Sequence, residues 1–250
     1  MSIPHAQSTV DAAEIGNFEA MAAEWWDPNG RLRPLHDMNP IRLEYLKREI
    51  SARFGRDAKD SRAFEGLSIL DIGCGGGLLT EPLARLGAAM VGADAGAANI
   101  AAAKTHAEAQ GLAIDYRATT AEALAAEGAR FDVVVAMEIV EHVADLPLFL
   151  REIASMVKPG GLLFLATMNR TLKSFALAIV GAEYILRWLP IGTHDWKKFL
   201  TPKELERAVE ATGLEVLDAC GMVFDPLRGH WSLKAGDLDV NYLMVAERRA

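Results

Sequence analysis

Leu70-Asp71-Ile72-Gly73-Cys74-Gly75-Gly76-Gly77 is the stretch on which the fold turns, together with Asp94 downstream of it. Residues 67–72 are a short apolar run, as in a buried strand. The glycines follow at once, and residues 78–86 then carry helical periodicity up to Gly87. A second apolar run at 88–93 ends on Asp94. Strand, glycine loop, helix, strand and terminal carboxylate, in that order, are the opening of a doubly wound α/β unit. Glycines at that turn let the backbone reverse sharply and let a ligand approach with no Cβ in the way.

The alternation continues outward from this unit. An Ala-rich helix is expected over 99–110, a strand over 112–118, and a fourth strand over 131–137 (FDVVVAM). Apart from Asp132 that last run is continuously apolar, as in a parallel strand covered on both faces. A helix over 146–157 is expected to end at Pro159-Gly160-Gly161, before a fifth strand over 162–167. Thr201-Pro202-Lys203-Glu204 reads as a capping box that opens a helix to Thr212. Strands at 214–219 and 240–247 close the chain. The expectation is a Rossmann-like, mostly parallel sheet of seven strands. Ahead of it, residues 11–24 have amphipathic spacing, Trp25 to Gly30 breaks the pattern, and Asn39-Pro40 marks the start of a helix over 41–50. Residues 1–65 are thus read as a helical lid or extension and 66–250 as the core, with a helical insertion at about 170–200.

Composition narrows the partners. The 250 residues are 51% hydrophobic, enough for a sizeable core, and the formal net charge is −8. That charge repels phosphate backbones, so nucleic acid is not expected. Cys74 and Cys220 form no CxxC pair, and Cys74 reads as a small spacer in the loop. Neither a secretory signal nor a full membrane span is read, so the cytoplasm is the expected compartment.

The ligand can be read further. Asp94, about 20 residues after the first glycine, can accept hydrogen bonds from both hydroxyls of a ribose. A nicotinamide dinucleotide would call for glycine three residues after Gly75, where Leu78 stands, because pyrophosphate needs a close helix approach. Asp71 suits a ligand with an ammonium group better than a polyanion. S-adenosylmethionine is therefore favoured over a dinucleotide, and a methyltransferase over an oxidoreductase.

Several stretches carry a closer resemblance. The glycine loop with Asp94 is similar to class I S-adenosylmethionine-dependent methyltransferases in general. Phe18-Glu19-Ala20, Trp25-Trp26-Asp27, Pro34-Leu35-His36, Asn39-Pro40-Ile41-Arg42-Leu43 and Met137-Glu138-Ile139-Val140-Glu141-His142-Val143 resemble the ubiquinone-biosynthesis O-methyltransferases, as do Val180 through Leu186 and Gly192-Thr193-His194-Asp195. The resemblance spans nearly the whole chain and is weakest at 222–239. It implies methyl transfer to hydroxyls of polyprenylated aromatics, of the 2-polyprenyl-6-hydroxyphenol and demethylubiquinol type. It also implies cofactor contacts at Arg42, Gly73, Asp94 and Met137. Arg42 would clamp the methionine carboxylate with its fork of donors. A non-catalytic scaffold in a quinone-synthesis assembly, and contact with other enzymes of that pathway, are the competing and accompanying expectations.

On the acceptor side, a phenol with a pKa of about 10 needs help to ionise. Glu138, Glu141 and His142 follow the fourth strand, at the edge where ligands bind in such sheets. Two chemistries suit them. The three can hold a divalent cation, magnesium by preference for oxygen donors, which would lower the phenol pKa. Alternatively Glu138 or His142 acts as general base. His194, Asp195, Trp25 and Trp26 are expected to form or cover the acceptor pocket. Finally, Ser174 through Leu189 (SFALAIVGAEYILRWL) is too short to span a bilayer but broadly apolar, with Lys173 and Arg187 near its ends. It is expected to bind the cytoplasmic face of the inner membrane peripherally, where a prenylated substrate resides.

Overall fold

A computed structural model describes residues 8–177, 195–226 and 228–250. The chain opens with helix α1 (Ala12–Glu19), capped by Asp11, whose side chain accepts from the Ala13 amide. A single 3₁₀ turn follows at Ala22–Glu24. The amphipathic reading of 11–24 is thus interrupted at Ala20-Met21.

Helix α2 (Arg33–Phe54) begins well before Asn39-Pro40, with Pro34 in its first turn and Pro40 inside it. Pro40 lacks the N–H that would reach the His36 carbonyl, a change that costs about 3 kcal/mol or more in a helix interior. The helix persists because Met38, Ile41, Tyr45, Leu46 and Ile50 are all buried. Each such side chain contributes roughly 1.5–3 kcal/mol.

The core then alternates: β1 (Ser68–Ile72), α3 (Thr80–Arg85), β2 (Ala89–Asp94), α4 (Ala97–Ala109), β3 (Asp115–Ala118), α5 (Ala121–Ala126), β4 (Phe131–Met137), α6 (Leu146–Ser155) and β5 (Val157–Met168). After the short α7 (Leu172–Ser174) come α8 (Pro202–Glu210), β6 (Glu215–Asp225), β7 (His230–Ala235) and β8 (Asn241–Glu247). Helix α8 carries the expected capping box, with Thr201 and Glu204 satisfying each other's backbone amides. Helix α5 was not legible, being six Ala-rich residues capped by Thr120. Strand β5 starts five residues early because Val157 already pairs with Phe131. The Pro159-Gly160-Gly161 stretch therefore lies within the strand, at a register shift.

The sheet has eight strands, in the order β3-β2-β1-β4-β5-β8-β6-β7. The first five run parallel, and β8, β6 and β7 are antiparallel to their neighbours. The count corrects the expected seven. The extra strand is β7, which folds back on β6 in the 222–239 stretch where the sequence is least distinctive.

Side-chain alternation builds two cores. On β4, Val133, Val135 and Met137 face α2 and α3, while Val134 and Ala136 face α5, α6 and α8. This is why β4 is apolar on both faces from Val133 onward, with Asp132 at its start bonded to Ser68 and Lys158. Strand order reverses between β1 and β4, and the carboxyl ends of these two strands form the crevice where ligands bind in such sheets. Residues 178–194, most of the expected apolar helix from Ser174 and also His194, lie outside the described residues.

Candidate active site

Glycines make the turn after β1 workable. Gly73, Gly75 and Gly77 have φ of 76°, 53° and 90°, a region costly to other residues. The amides of Gly73 and Cys74 both donate to the Ala93 carbonyl at the end of β2, at 2.7 and 3.1 Å. A Cβ on Gly76 would come within 2.3 Å of the Trp25 side chain, so the N-terminal segment lies directly on this loop.

Asp94 organises the loop beside it. Its carboxylate accepts from the Gly75 amide at 3.0 Å, the Gly96 amide at 2.7 Å and the Asn99 side chain at 3.1 Å. Burial raises its pKa, against the pull of these donors. Asn99 in turn accepts from Trp25 Nε1 at 2.9 Å. Trp26 donates to the Gly76 carbonyl at 3.0 Å and stacks on His106 with ring centroids 3.4 Å apart. Trp25 and Trp26, expected to form or cover the acceptor pocket, pack on the glycine loop, and Trp25 lines the cavity that holds Glu138 and His142.

Arg42 comes from α2 and is 5% exposed. Its Nη2 lies 3.1 Å from Glu138 Oε1 as an ion pair. Yet Nε, Nη2 and that glutamate oxygen make no hydrogen bond among the described residues. Such buried, unmatched donors are costly unless a further anion completes them. Asp71, fully buried, accepts from Thr80 at 2.6 Å, and burial pushes its carboxyl up to about 6.

At the end of β4, Met137 is buried and Glu138 adopts φ 53°, in the left-handed region although it is not glycine. Strain of this kind collects at functional sites. Glu141 is buried and accepts from the Thr167 hydroxyl at 2.9 Å. Burial first, then the charge of Glu138, push it up to about 7 against the pull of His142. His142 Nδ1 lies 3.1 Å from Glu14 Oε2 on α1. Burial would lower the His142 pKa, but the bond to Glu14 and the charges of Glu141, Glu14 and Glu138 leave it raised. Glu14 is held down at about 2, by His142 first and also by Lys198, which donates at 2.9 Å.

Arg42, Gly73, Asp94, Met137, Glu138, Glu141 and His142 all line one cavity of about 560 Å³, a size suited to a small ligand. The three acceptor-side residues do not converge as a ligand set: Glu138 faces Arg42, Glu141 faces Thr167 and His142 faces Glu14. No group of three or more His, Cys, Asp or Glu arranged to hold a metal occurs among the described residues.

Comparison with known proteins agrees with this geometry. The sequence model of the family described as "Methyltransferase domain" matches residues 38–219. A ubiquinone biosynthesis O-methyltransferase from Dinoroseobacter shibae is 60% identical over 242 residues, covering 97% of this chain and 98% of its own. One from Cereibacter sphaeroides is 59% identical over 244 residues, covering 98% and 99%. The chain belongs to the ubiquinone biosynthesis O-methyltransferases.

Solved methyltransferase structures share the fold. A possible histamine N-methyltransferase from Thermotoga maritima superposes with a TM-score of 0.64 at 16% identity, over 93% of this chain and 98% of that one. A magnesium protoporphyrin IX methyltransferase from Synechocystis, solved with bound SAM, gives 0.58 at 14% identity, over 98% and 100%. Family and fold together make this ubiquinone biosynthesis O-methyltransferase family member an S-adenosylmethionine-dependent enzyme. The glycine cradle and the unmatched donors of Arg42 fit that cofactor. Sequence reasoning missed Asn99, Thr167, Lys198 and Glu14. None of them sits in a motif with chemistry of its own, and Glu14 is 128 residues from the histidine it contacts.

Proposed function

We propose that this enzyme moves a methyl group from S-adenosyl-L-methionine to a hydroxyl of polyprenylated phenol and catechol intermediates in ubiquinone biosynthesis. The acceptors are of the 2-polyprenyl-6-hydroxyphenol and 3-demethylubiquinol type. One observation carries the reading: a single cavity is lined by a glycine cradle, by the buried Arg42 guanidinium with donors still unmatched beside its ion pair to Glu138, and by Glu138, Glu141 and His142.

Bound S-adenosylmethionine supplies an electrophilic methyl group. Arg42 would take its carboxylate, Asp71 would suit its ammonium group, Asp94 would accept from the ribose, Gly73 would offer bare backbone and Met137 would pack beside the adenosine or the sulfonium. The leaving group is a neutral thioether, so no acid is needed there. The acceptor hydroxyl, with a pKa of about 10, has to give up its proton. Glu138 and His142 are assigned to that task. Glu141, buried and bonded to Thr167, lines the same cavity.

A second reading gives Glu138, Glu141 and His142 to a magnesium ion. It is favoured by Glu138 Oε1, a buried carboxylate oxygen that makes an ion pair with Arg42 but no hydrogen bond among the described residues. As the side chains stand they do not form a ligand set, and no step is assigned to the ion. The deciding experiment is mass spectrometry of a short-prenyl catechol incubated with enzyme and S-adenosylmethionine, with and without chelator. No methylated product in either arm sinks the proposed function. Full turnover in chelator, lost in Glu138→Ala or His142→Ala, keeps the base. Loss in chelator, with recovery on added magnesium and unchanged S-adenosylmethionine binding, installs the ion.

The same reading puts the enzyme on the cytoplasmic face of the inner membrane, where it would meet other quinone-synthesis enzymes. Support comes from Leu172, Phe175 and Leu177, which are exposed at the head of the apolar stretch from Ser174. Leu177 also lines the cavity. No helix among the described residues is long and apolar enough to cross a membrane.

A further inference from the structure

We propose that Glu14, on α1, is a positioning residue that fixes the imidazole of His142 and leaves its Nε2 for the acceptor. A carboxylate can only accept hydrogen bonds. Glu14 Oε2 stands 3.1 Å from Nδ1, so Nδ1 carries the proton and the lone pair of the neutral ring lies on Nε2. The carboxylate is itself held. Its other oxygen accepts from Lys198 at 2.9 Å, and Lys198 also reaches Asp11 at 3.4 Å. One helical turn beyond Glu14, Phe18 meets the same imidazole edge to face, with centroids 5.3 Å apart and planes at 88°. A single short helix thus sets the ring's tautomer through Glu14 and its plane through Phe18.

The ring so held lines the cavity beside Glu138 and Glu141. The inference rests on reading His142 as an acceptor-side residue. It holds whether Nε2 receives the acceptor's proton or binds an ion, since both uses need the lone pair on that nitrogen. It also means that the acceptor side is complete only when the N-terminal segment is seated.

Two measurements on the full chain test this. In the first, Glu14→Ala, Glu14→Gln and Lys198→Ala are assayed with a short-prenyl catechol. Glu14→Ala should lower kcat by roughly 10- to 100-fold, the usual cost of losing a residue that orients such a histidine. S-adenosylmethionine affinity should hold. Glu14→Gln should recover most of the rate, because the amide carbonyl still accepts from Nδ1, and Lys198→Ala should lose less than Glu14→Ala. Equal losses in all three variants with weaker cofactor binding would make Glu14 an anchor of the segment only, and overturn the proposal. Unchanged turnover in Glu14→Ala would overturn it as well.

The second measurement needs no turnover. Nitrogen-15 NMR of the imidazoles in alkaline buffer, with His142→Ala to identify the resonance, should show one Nδ1-protonated tautomer in the wild type and a mixture in Glu14→Ala. A mixture in the wild type would refute the assignment. A wild type that fails to methylate any catechol would count against the acceptor reading alone, with the tautomer still measured.

Discussion

The indole N–H of Trp25 donates to Oδ1 of Asn99 at 2.9 Å, and the same Asn99 donates to Asp94 at 3.1 Å. The N-terminal segment is thereby wired to the carboxylate assigned to the ribose. Trp25→Phe keeps the ring and removes the donor. A net hydrogen bond of about 0.5–1.5 kcal/mol predicts S-adenosylmethionine binding weaker by about 2- to 10-fold. Calorimetry giving an unchanged dissociation constant would disconnect the segment from the cofactor.

Asp94→Ala removes the acceptor for the ribose and the partner of the Gly75 and Gly96 amides at once. Hydrogen bonds to a charged group are worth roughly 1.5–3 kcal/mol, so affinity for S-adenosylmethionine should fall about ten-fold or more. If titration shows wild-type affinity, Asp94 does not belong to the site.

Asp71 has a pH signature of its own. Its folded pKa of about 6 lies above the ordinary carboxylate value, because of burial. Between about pH 4 and 6 the folded protein therefore holds a proton that the unfolded chain has lost, and stability falls as pH rises through that window. A ligand ammonium group reverses the preference, since it favours the ionised carboxylate. Asp71→Asn should raise the thermal midpoint of the cofactor-free protein at neutral pH and weaken S-adenosylmethionine binding. A midpoint that drops at pH 7 would contradict the assignment.

Membrane binding is tested by flotation with anionic liposomes. The wild-type chain should float, and a variant lacking residues 174–189 should stay at the bottom of the gradient. Equal flotation of the two would place the lipid contact elsewhere.

The parallel half of the fold was legible because its signals are local. Gly73, Gly75 and Gly77 sit where positive φ is needed, Asp94 closes a strand, and Val133 to Met137 are all apolar because both faces of the strand are covered. Strand β7 was not legible. His230 to Ala235 (HWSLKA) does alternate polar and apolar residues, but over only six positions in a stretch without other signals, and its pairing with β6 comes from tertiary context. The start of α2 was misplaced because Pro40 reads as a boundary until the burial around it is known. In the site, motif residues were found, and residues that act through them were not. Glu14 and Lys198 are ordinary charges in the sequence, and only the fold brings them together at His142.

Residues 8–26 also have a consequence for the order of assembly. Thr9 is held by Glu122, Trp25 by Asn99, Glu14 by His142 and Lys198, across 113, 74, 128 and 184 residues. On the ribosome this stretch emerges well before its partners. Contacts of such sequence separation carry a large closure entropy and form after the local ones. The roof of the cavity is thus synthesised before the residues that hold it and seated after them. A nascent chain stalled before Lys198 should have a nearly complete parallel sheet beneath an unseated leader, and protease should cut residues 8–26 until synthesis passes that lysine.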